Sequence, residues 1–292
     1  MAILAYSFGS PSEVGPFDDK CLVMRHDTEE EDIVSFRNKI GRFLNQGKNV
    51  VWADASPSRK ARMKMYNHVK KQSPTCIVGS LQTFRTLEEL QELEPHKTHE
   101  EVLKYYKALQ PSRKKVDCDS LSFVGTRFFK DTATRQTIET LEDFIEEQCE
   151  DIILPEVKLL FQEHGNKHHQ ETIDSHINQA IQNSNTFFMR LISLFHDMAK
   201  GITKDEDGRF IQHQNIGANY LMNALWCSSD LPLEQPGNGL ADVAEVVLHH
   251  MSLNRETGKL PSSVVERNKL NREVVQLIEF FVNKIDMNSR EV

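Results

Sequence analysis

The strongest constraint on this chain is a change of hydrophobic period partway along it. In the first part short apolar runs, Ala2 to Tyr6, Cys21 to Met24, Asn49 to Ala53 and Thr75 to Val78, alternate with stretches of helical spacing. Strands separated by helices predict a parallel α/β sheet covered by those helices. Ile33 to Leu44 places Ile33, Phe36, Ile40 and Phe43 on one helical face. Ser58 to Lys71, Leu87 to Leu93 and His99 to Leu109 also read as helices, and Leu121 to Phe129 as a last strand. From about Thr137 the β-branched runs give way to long segments of helical period with few breakers. The expectation is an α/β domain over 1-135 and an all-α domain over 136-292, since 292 residues exceed the usual size of one domain.

Composition narrows the class. A hydrophobic fraction of 39% beside 27% charged residues fits globular cores rather than disorder. The net charge of −8 opposes indiscriminate binding to polyphosphate backbones, while leaving room for a local basic patch. One such patch is the Ser58 to Lys71 helix, with Arg59, Lys60, Arg62, Lys64, Lys70 and Lys71. Helices of this kind are mostly solvated faces, and Tyr66 is the one aromatic residue interleaved in it for stacking on a base. The five cysteines (Cys21, Cys76, Cys118, Cys149, Cys227) are scattered and never form Cys-x-x-Cys, which argues against a disulfide framework or a thiolate zinc site. The opening MAILAYSFGSPSEVGPFDD has too short an apolar run and no basic flank, so neither export nor membrane insertion is expected and a reducing cytoplasm fits best.

Eight of the twelve histidines lie beyond residue 160: His164, His168, His169, His176, His196, His213, His249 and His250. In TFFMRLISLFHDMAKG, the residues Phe187, Leu191, Leu194 and Met198 recur at helical spacing, so His196 and Asp197 sit near the end of a buried helix that Gly201 is expected to stop. Adjacent helical residues point about 100° apart, so both reach one ion only where a helix end opens onto a cleft. A lone histidine in a helical domain is more often a hydrogen-bonded or surface residue than a ligand, and a bare His-Asp pair is weak evidence. The ordered set is what carries weight: His176 in ETIDSHINQAI, the pair in LFHDMAKG, His213 in GRFIQHQNIGANYL, His250 or its rival His249 in VVLHHM, and Asp286 in FFVNKIDMN after Val274, Ile278, Phe281 and Ile285. His164, His168 and His169 fall in the polar stretch QEHGNKHHQ and read as solvated loop residues.

Over most of residues 170 to 292 these motifs resemble the HD superfamily of metal-dependent phosphohydrolases, whose signature is a lone His, a His-Asp pair and a distant Asp. The resemblance implies His176, His196, Asp197 and Asp286 on a first metal, with Asp197 bridging, and His213 and His250 on a second. It implies one or two divalent ions, of the Mn, Fe, Ni, Co, Zn or Mg kind, and imidazole with carboxylate donors suits Mn, Fe, Co, Ni or Zn better than calcium. Two ions bind the oxygens of a phosphate and lower the pKa of a bridging water. Asp197 and Lys200 are the candidate catalytic residues, with Lys200 either neutralising phosphoryl charge or simply solvated.

Residues 1 to about 130 resemble P-loop polynucleotide kinases. The likeness lies in VVWADASPSRKARMKMYNHVKK, with Asp54, Arg59 and Arg62, in CIVGSLQTFRTLEELQEL, and in Asp27 of VMRHD. The phosphate loop departs from the family. A working loop needs Gly-x-x-x-x-Gly-Lys-[Ser/Thr] so that backbone N–H groups and the lysine surround the phosphates. Here GSPSEVGPF has Pro16 after Gly15, no lysine, and Glu13 to repel phosphate, and the lid region LEELQELEPHKTHEE is mainly acidic. A degenerate kinase-like domain that serves to dock or stabilise is expected. The functional expectation is therefore hydrolysis of a phosphomonoester or cyclic phosphodiester on a nucleotide or nucleic-acid end. Alternatives are a nucleoside triphosphate or signalling-nucleotide hydrolase, and, from another class, a non-catalytic metal-stabilised binding scaffold.

Overall fold

The computed structural model describes residues 2–8, 21–26, 31–53, 55–125, 171–226 and 240–290, and the chain divides into two compact units, Met1–Thr126 and Arg127–Val292. The GSPSEVGPF segment, Asp27, Asp54, Cys149, His164, His168, His169, Cys227 and the expected boundary at 135/136 lie outside the described residues.

The first unit is α/β. Five strands, β1 (Ile3–Phe8), β2 (Cys21–Met24), β3 (Asn49–Trp52), β4 (Ile77–Phe84) and β5 (Ser120–Gly125), form one parallel sheet in the order β2-β3-β1-β4-β5. In the centre, β1 pairs with β3 on one side (Leu4↔Val50) and β4 on the other (Leu4↔Val78). Leu4, Tyr6, Val50 and Val78 are buried, as a parallel strand covered on both faces requires. Helices α1 (Ile33–Asn45), α2 (Arg59–Gln72), α3 (Leu87–Leu93) and α4 (His99–Ala108) begin at identifiable caps. Asp32 accepts from the N–H groups of Val34 and Ser35, and Thr86 with Glu89 and Thr98 with Glu101 form reciprocal capping boxes.

Strand β4 differs from the expected Thr75 to Val78, starting at Ile77 and continuing to Phe84. Its polar second half stays in the sheet because both edges are paired and its side chains find partners: Ser80 Oγ lies 2.7 Å from Ser112 Oγ, and Gln82 Oε1 accepts from the Ser112 N–H. Strand β5 runs Ser120–Gly125, and the rest of the expected Leu121 to Phe129 run lies outside the described residues.

In the basic helix α2, Lys60, Lys64 and Lys71 are exposed, but both arginines and Lys70 are committed internally. Arg59 and Arg62 are buried. Arg59 donates to the Pro111 carbonyl through Nε and Nη2. Arg62 Nε is 2.8 Å from Asp117 Oδ2, and its other nitrogens donate to the carbonyls of Ser56, Pro57 and Gln110. Lys70 is held by Asp119, which also accepts from Tyr66 and the Val78 N–H. Burial and the Asp119 carboxylate push the Tyr66 phenol up to about 12. Arginines that sequence reasoning offered to a polyanion thus tie α2 to the segment before β5.

Because both members of the Arg62–Asp117 pair are inaccessible to solvent, Asp117→Ala leaves a guanidinium without its countercharge in the core. The expected loss is about 3–5 kcal/mol of unfolding free energy. Urea denaturation of the full chain in a Trp226→Phe background, where buried Trp52 reports on this unit, checks it; a midpoint unchanged from that of the background chain refutes it.

The second unit is helical. Its described elements are α5 (Ile173–Gln182), α6 (Phe187–Phe195), a short turn α7 (Lys200–Thr203), α8 (His213–Trp226), α9 (Leu240–His249), α10 (Ser262–Asn268) and α11 (Arg272–Phe280), the last continuing as a wider π-helical turn over Phe281–Asp286. Among the described residues no helix is long and apolar enough to cross a membrane.

Candidate metal centre

Helices α5, α6, α8, α9 and α11, or the turns that directly follow them, deliver one or two donors each to a common point. In α5, His176 shares the inward face with Ile173, Ile177 and Ala180. Helix α6 is capped by Thr186, whose Oγ1 accepts from the Met189 N–H, and is almost wholly apolar, so it sinks into the core. It ends at Phe195, earlier than expected: His196 is its C-cap, Asp197 follows in a turn, and Gly201 lies inside α7 rather than stopping α6. This early ending lets the adjacent His196 and Asp197 bring their donor atoms together, with His196 Nε2 3.3 Å from Asp197 Oδ2. The hydroxyls of Ser184 and Ser193 lie 2.9 Å apart and both donate to the Ala180 carbonyl, which ties α5 to α6.

Helix α8 opens with His213 after Gln212, which takes a left-handed backbone (φ 62°). It approaches α6 closely at Gly217, where a Cβ would come within 2.3 Å of the Phe195 carbonyl oxygen. Only glycine permits that approach, and it brings His213 up to the His-Asp pair. His250 starts a 3-10 turn just past α9, and Asp286 ends the π-turn, a local widening that recurs at functional sites. Ser289, three residues on, accepts from Asn183 through its hydroxyl and contacts His176 Nδ1 through its carbonyl at 3.1 Å, so the C-terminal segment is fastened to α5.

The result is two groups of donors sharing one carboxylate. His176 Nε2 is 3.2 Å from Asp286 Oδ1, 3.3 Å from His196 Nε2 and 3.5 Å from Asp197 Oδ2. His196 Nε2 is 3.3 Å from the same Asp197 Oδ2. The other oxygen, Oδ1, faces His213 Nε2 at 3.2 Å and His250 Nε2 at 3.6 Å, and these two nitrogens are 3.3 Å apart. Within each of the triplets His176–His196–Asp286 and Asp197–His213–His250 the donor atoms lie within 4.8 Å of one another, and all six residues are buried. The His249 alternative points elsewhere, with Nε2 3.2 Å from Glu245 Oε2.

The chemistry of this set fits divalent cations. The Nδ1 atoms of His176, His196, His213 and His250 face the backbone carbonyls of Ser289, Ser193, Phe210 and Val247. A carbonyl only accepts, so each Nδ1 carries the hydrogen and each neutral ring turns the lone pair of Nε2 inward. Nitrogen and carboxylate lone pairs then converge at 3.2–3.6 Å with no hydrogen between most of them, an arrangement that positive charge must stabilise. Burial lowers the affinity of His196 and His213 for a proton more than Asp197 raises it, which favours the neutral, ligating form. For His176, burial acts the same way but the Asp286 and Asp197 carboxylates outweigh it, so its pKa rises. Burial works against ionising Asp197 and Asp286 too, yet Lys200 beside the first, and His176 and Arg290 beside the second, hold both below the usual carboxylate range.

Lys200 is not a solvated lysine. It is buried, with Nζ 2.5 Å from Asp197 Oδ2 and 5.6 Å from the Phe210 ring centroid. Asp197, Lys200, His213, His250 and Asp286 all line a cavity of about 960 Å³. Sequence reasoning missed four cations on its wall, Lys204, Arg209, Arg255 and Arg290. Arg290 carried a legible signal, lying one helical turn past Asp286, whose carboxylate oxygens are 3.4 and 3.5 Å from its Nη2. Lys204 and Arg255 sit in loops, where no period marks them. Neither the protein-family models nor the curated proteins compared with this chain match it.

The two triplets predict two divalent ions per full-length chain after manganese loading and gel filtration, read by elemental analysis. His213→Ala with His250→Ala is expected to reduce the count to one, and a count unchanged from the parent's would refute the assignment.

Proposed function

We propose that this protein is a metal-dependent phosphohydrolase of HD type, acting on a phosphomonoester or cyclic phosphodiester of a nucleotide or nucleic-acid end. The observation that carries the reading is Asp197, with one oxygen toward each donor group and with Asp286, His213 and His250 beside it on the wall of one cavity. Divalent ions, when bound, supply Lewis acidity to a phosphoryl oxygen and a lowered pKa to water.

The chain's own part is to fix charge and orientation. His176, His196, His213 and His250 are locked by their carbonyl partners in the tautomer that ligates. Lys200, on the cavity wall, donates to Asp197 and offers its remaining N–H groups to a phosphoryl oxygen. Phe210, packed near that ammonium, limits its access to water.

Manganese-, nickel- or cobalt-loaded full-length protein should hydrolyse a generic aryl phosphate mono- or diester, with loss on chelation. Lys200→Ala should lower kcat/KM by about a hundredfold while ions stay bound. His196→Ala with Asp197→Ala should reduce turnover to background, and activity that survives this double substitution ends the enzymatic reading.

For the N-terminal unit we propose a stabilising module without nucleotide chemistry, because Arg59 and Arg62 are committed to internal carbonyls and Asp117. Photo-crosslinking with labelled azido-ATP followed by peptide mapping should place no competable label within Met1–Thr126. Label there that unlabelled ATP displaces would restore the kinase-like function.

A further inference from the structure

Outside the metal donors, the cavity carries a charge opposite to that of the chain. The molecule has a net charge of −8, yet the remaining charged side chains on the cavity wall are Lys200, Lys204, Arg209, Arg255 and Arg290 against Asp207 alone. These cations are not equivalent. Lys200 and Arg290 lie on the donor carboxylates Asp197 and Asp286. Arg209 is matched within its own turn by Asp205 and Asp207. Arg255 is exposed and makes no ion pair among the described residues, and Lys204 joins it on the wall from a different loop.

The loop bearing Arg255 is fixed to the metal-donor scaffold. Asn254 Oδ1 accepts from the N–H groups of Glu256 and Thr257, and the Gly258 N–H closes the turn on the Asn254 carbonyl. Gly258 has φ +62°, and a Cβ there would meet Asn283 Oδ1 at 2.8 Å, so the loop lies directly on the π-turn that ends in Asp286. Asn283 Nδ2 donates to the Gly258 carbonyl, while Glu279 holds both Lys259 Nζ and the Leu260 N–H. The reach from Arg255 to the donor cluster is therefore set by the fold. Met251, Leu253, Val282 and Met287 also line the wall, and Met251 and Met287 are more than half and half exposed (54% and 50%). Their soft, adaptable thioethers suit a flat heterocycle. The volume falls in the range of small-molecule sites.

We propose that Arg255 and Lys204 form a second anion subsite, so that the preferred substrate is a nucleotide carrying a phosphate besides the one that reacts. The identity of the substrate rests on the phosphohydrolase reading; the subsite does not. In the full-length, manganese-loaded chain, adenosine 3′,5′-bisphosphate should displace a fluorescent nucleotide about tenfold more tightly than adenosine 3′-monophosphate, read by stopped flow before turnover. Arg255→Ala should bring that ratio close to one, Lys204→Ala should lower it, and Arg255→Lys should keep part of it, all at an unchanged melting temperature. A 3′-phosphorylated dinucleotide distinguishes the sources of the second phosphate: a gain it shares assigns a strand end, and a gain confined to the bisphosphate assigns a free nucleotide. Equal affinities in the parent chain, or a ratio that survives Arg255→Ala, overturn the subsite. Preference without any hydrolysis would leave it standing and sink the proposed activity, whereas hydrolysis without preference does the reverse.

Discussion

The helical unit is organised around a collection of lone pairs that point at each other. Four imidazole nitrogens and the oxygens of two carboxylates meet in a buried space, and the hydrogens that would make them compatible are spent on backbone carbonyls behind them. Burying such groups without compensating positive charge is costly. The cations within reach are the Lys200 ammonium on Asp197 and the Arg290 guanidinium beside Asp286. Much of the surrounding architecture serves to bring these groups together: an apolar helix that stops one residue before His196, a glycine that admits His213, a π-turn that ends on Asp286, and a serine that fastens the C-terminal segment to α5.

Charge is handled differently in the two units. In the α/β unit charged groups are satisfied locally: buried Arg62 by Asp117 and three carbonyls, and the partly covered Asp119 by a lysine, a phenol and a backbone N–H. Such fully used groups have no capacity left for a ligand. In the helical unit Asp197, His213, His250 and Asp286 line one cavity together with the exposed Arg255, which makes no ion pair among the described residues. The same residue type therefore has opposite meanings. Arg62 in a basic helix is a structural tie, and Arg255 in an unremarkable loop is exposed to the cavity.

Most of the layout was legible in the sequence because it depends on local pattern. Short apolar runs alternating with runs of helical period gave the parallel α/β unit, and long runs of helical period gave the helical unit. Strand β4 was read too short, because Ser80 and Gln82 look like breakers until Ser112, thirty or so positions away, supplies their partners. Gly201 was misread as a helix stop because the chain turns at His196 under tertiary packing, with no glycine or proline to announce it.

What the sequence determined by itself is the supply of chemistry: the order of four histidines and two aspartates along helices, and the composition that builds each core. The tertiary structure alone decided how they meet. It set His250 rather than His249 against Asp197, gave each Asp197 oxygen its own histidine pair, took Arg59 and Arg62 out of circulation, and brought Arg255 to the wall of the same cavity. The reason is physical. Pattern along a chain reports which face of a segment avoids water, whereas the direction of a lone pair depends on the carbonyl behind the ring, and that carbonyl's position is set by how the helices pack.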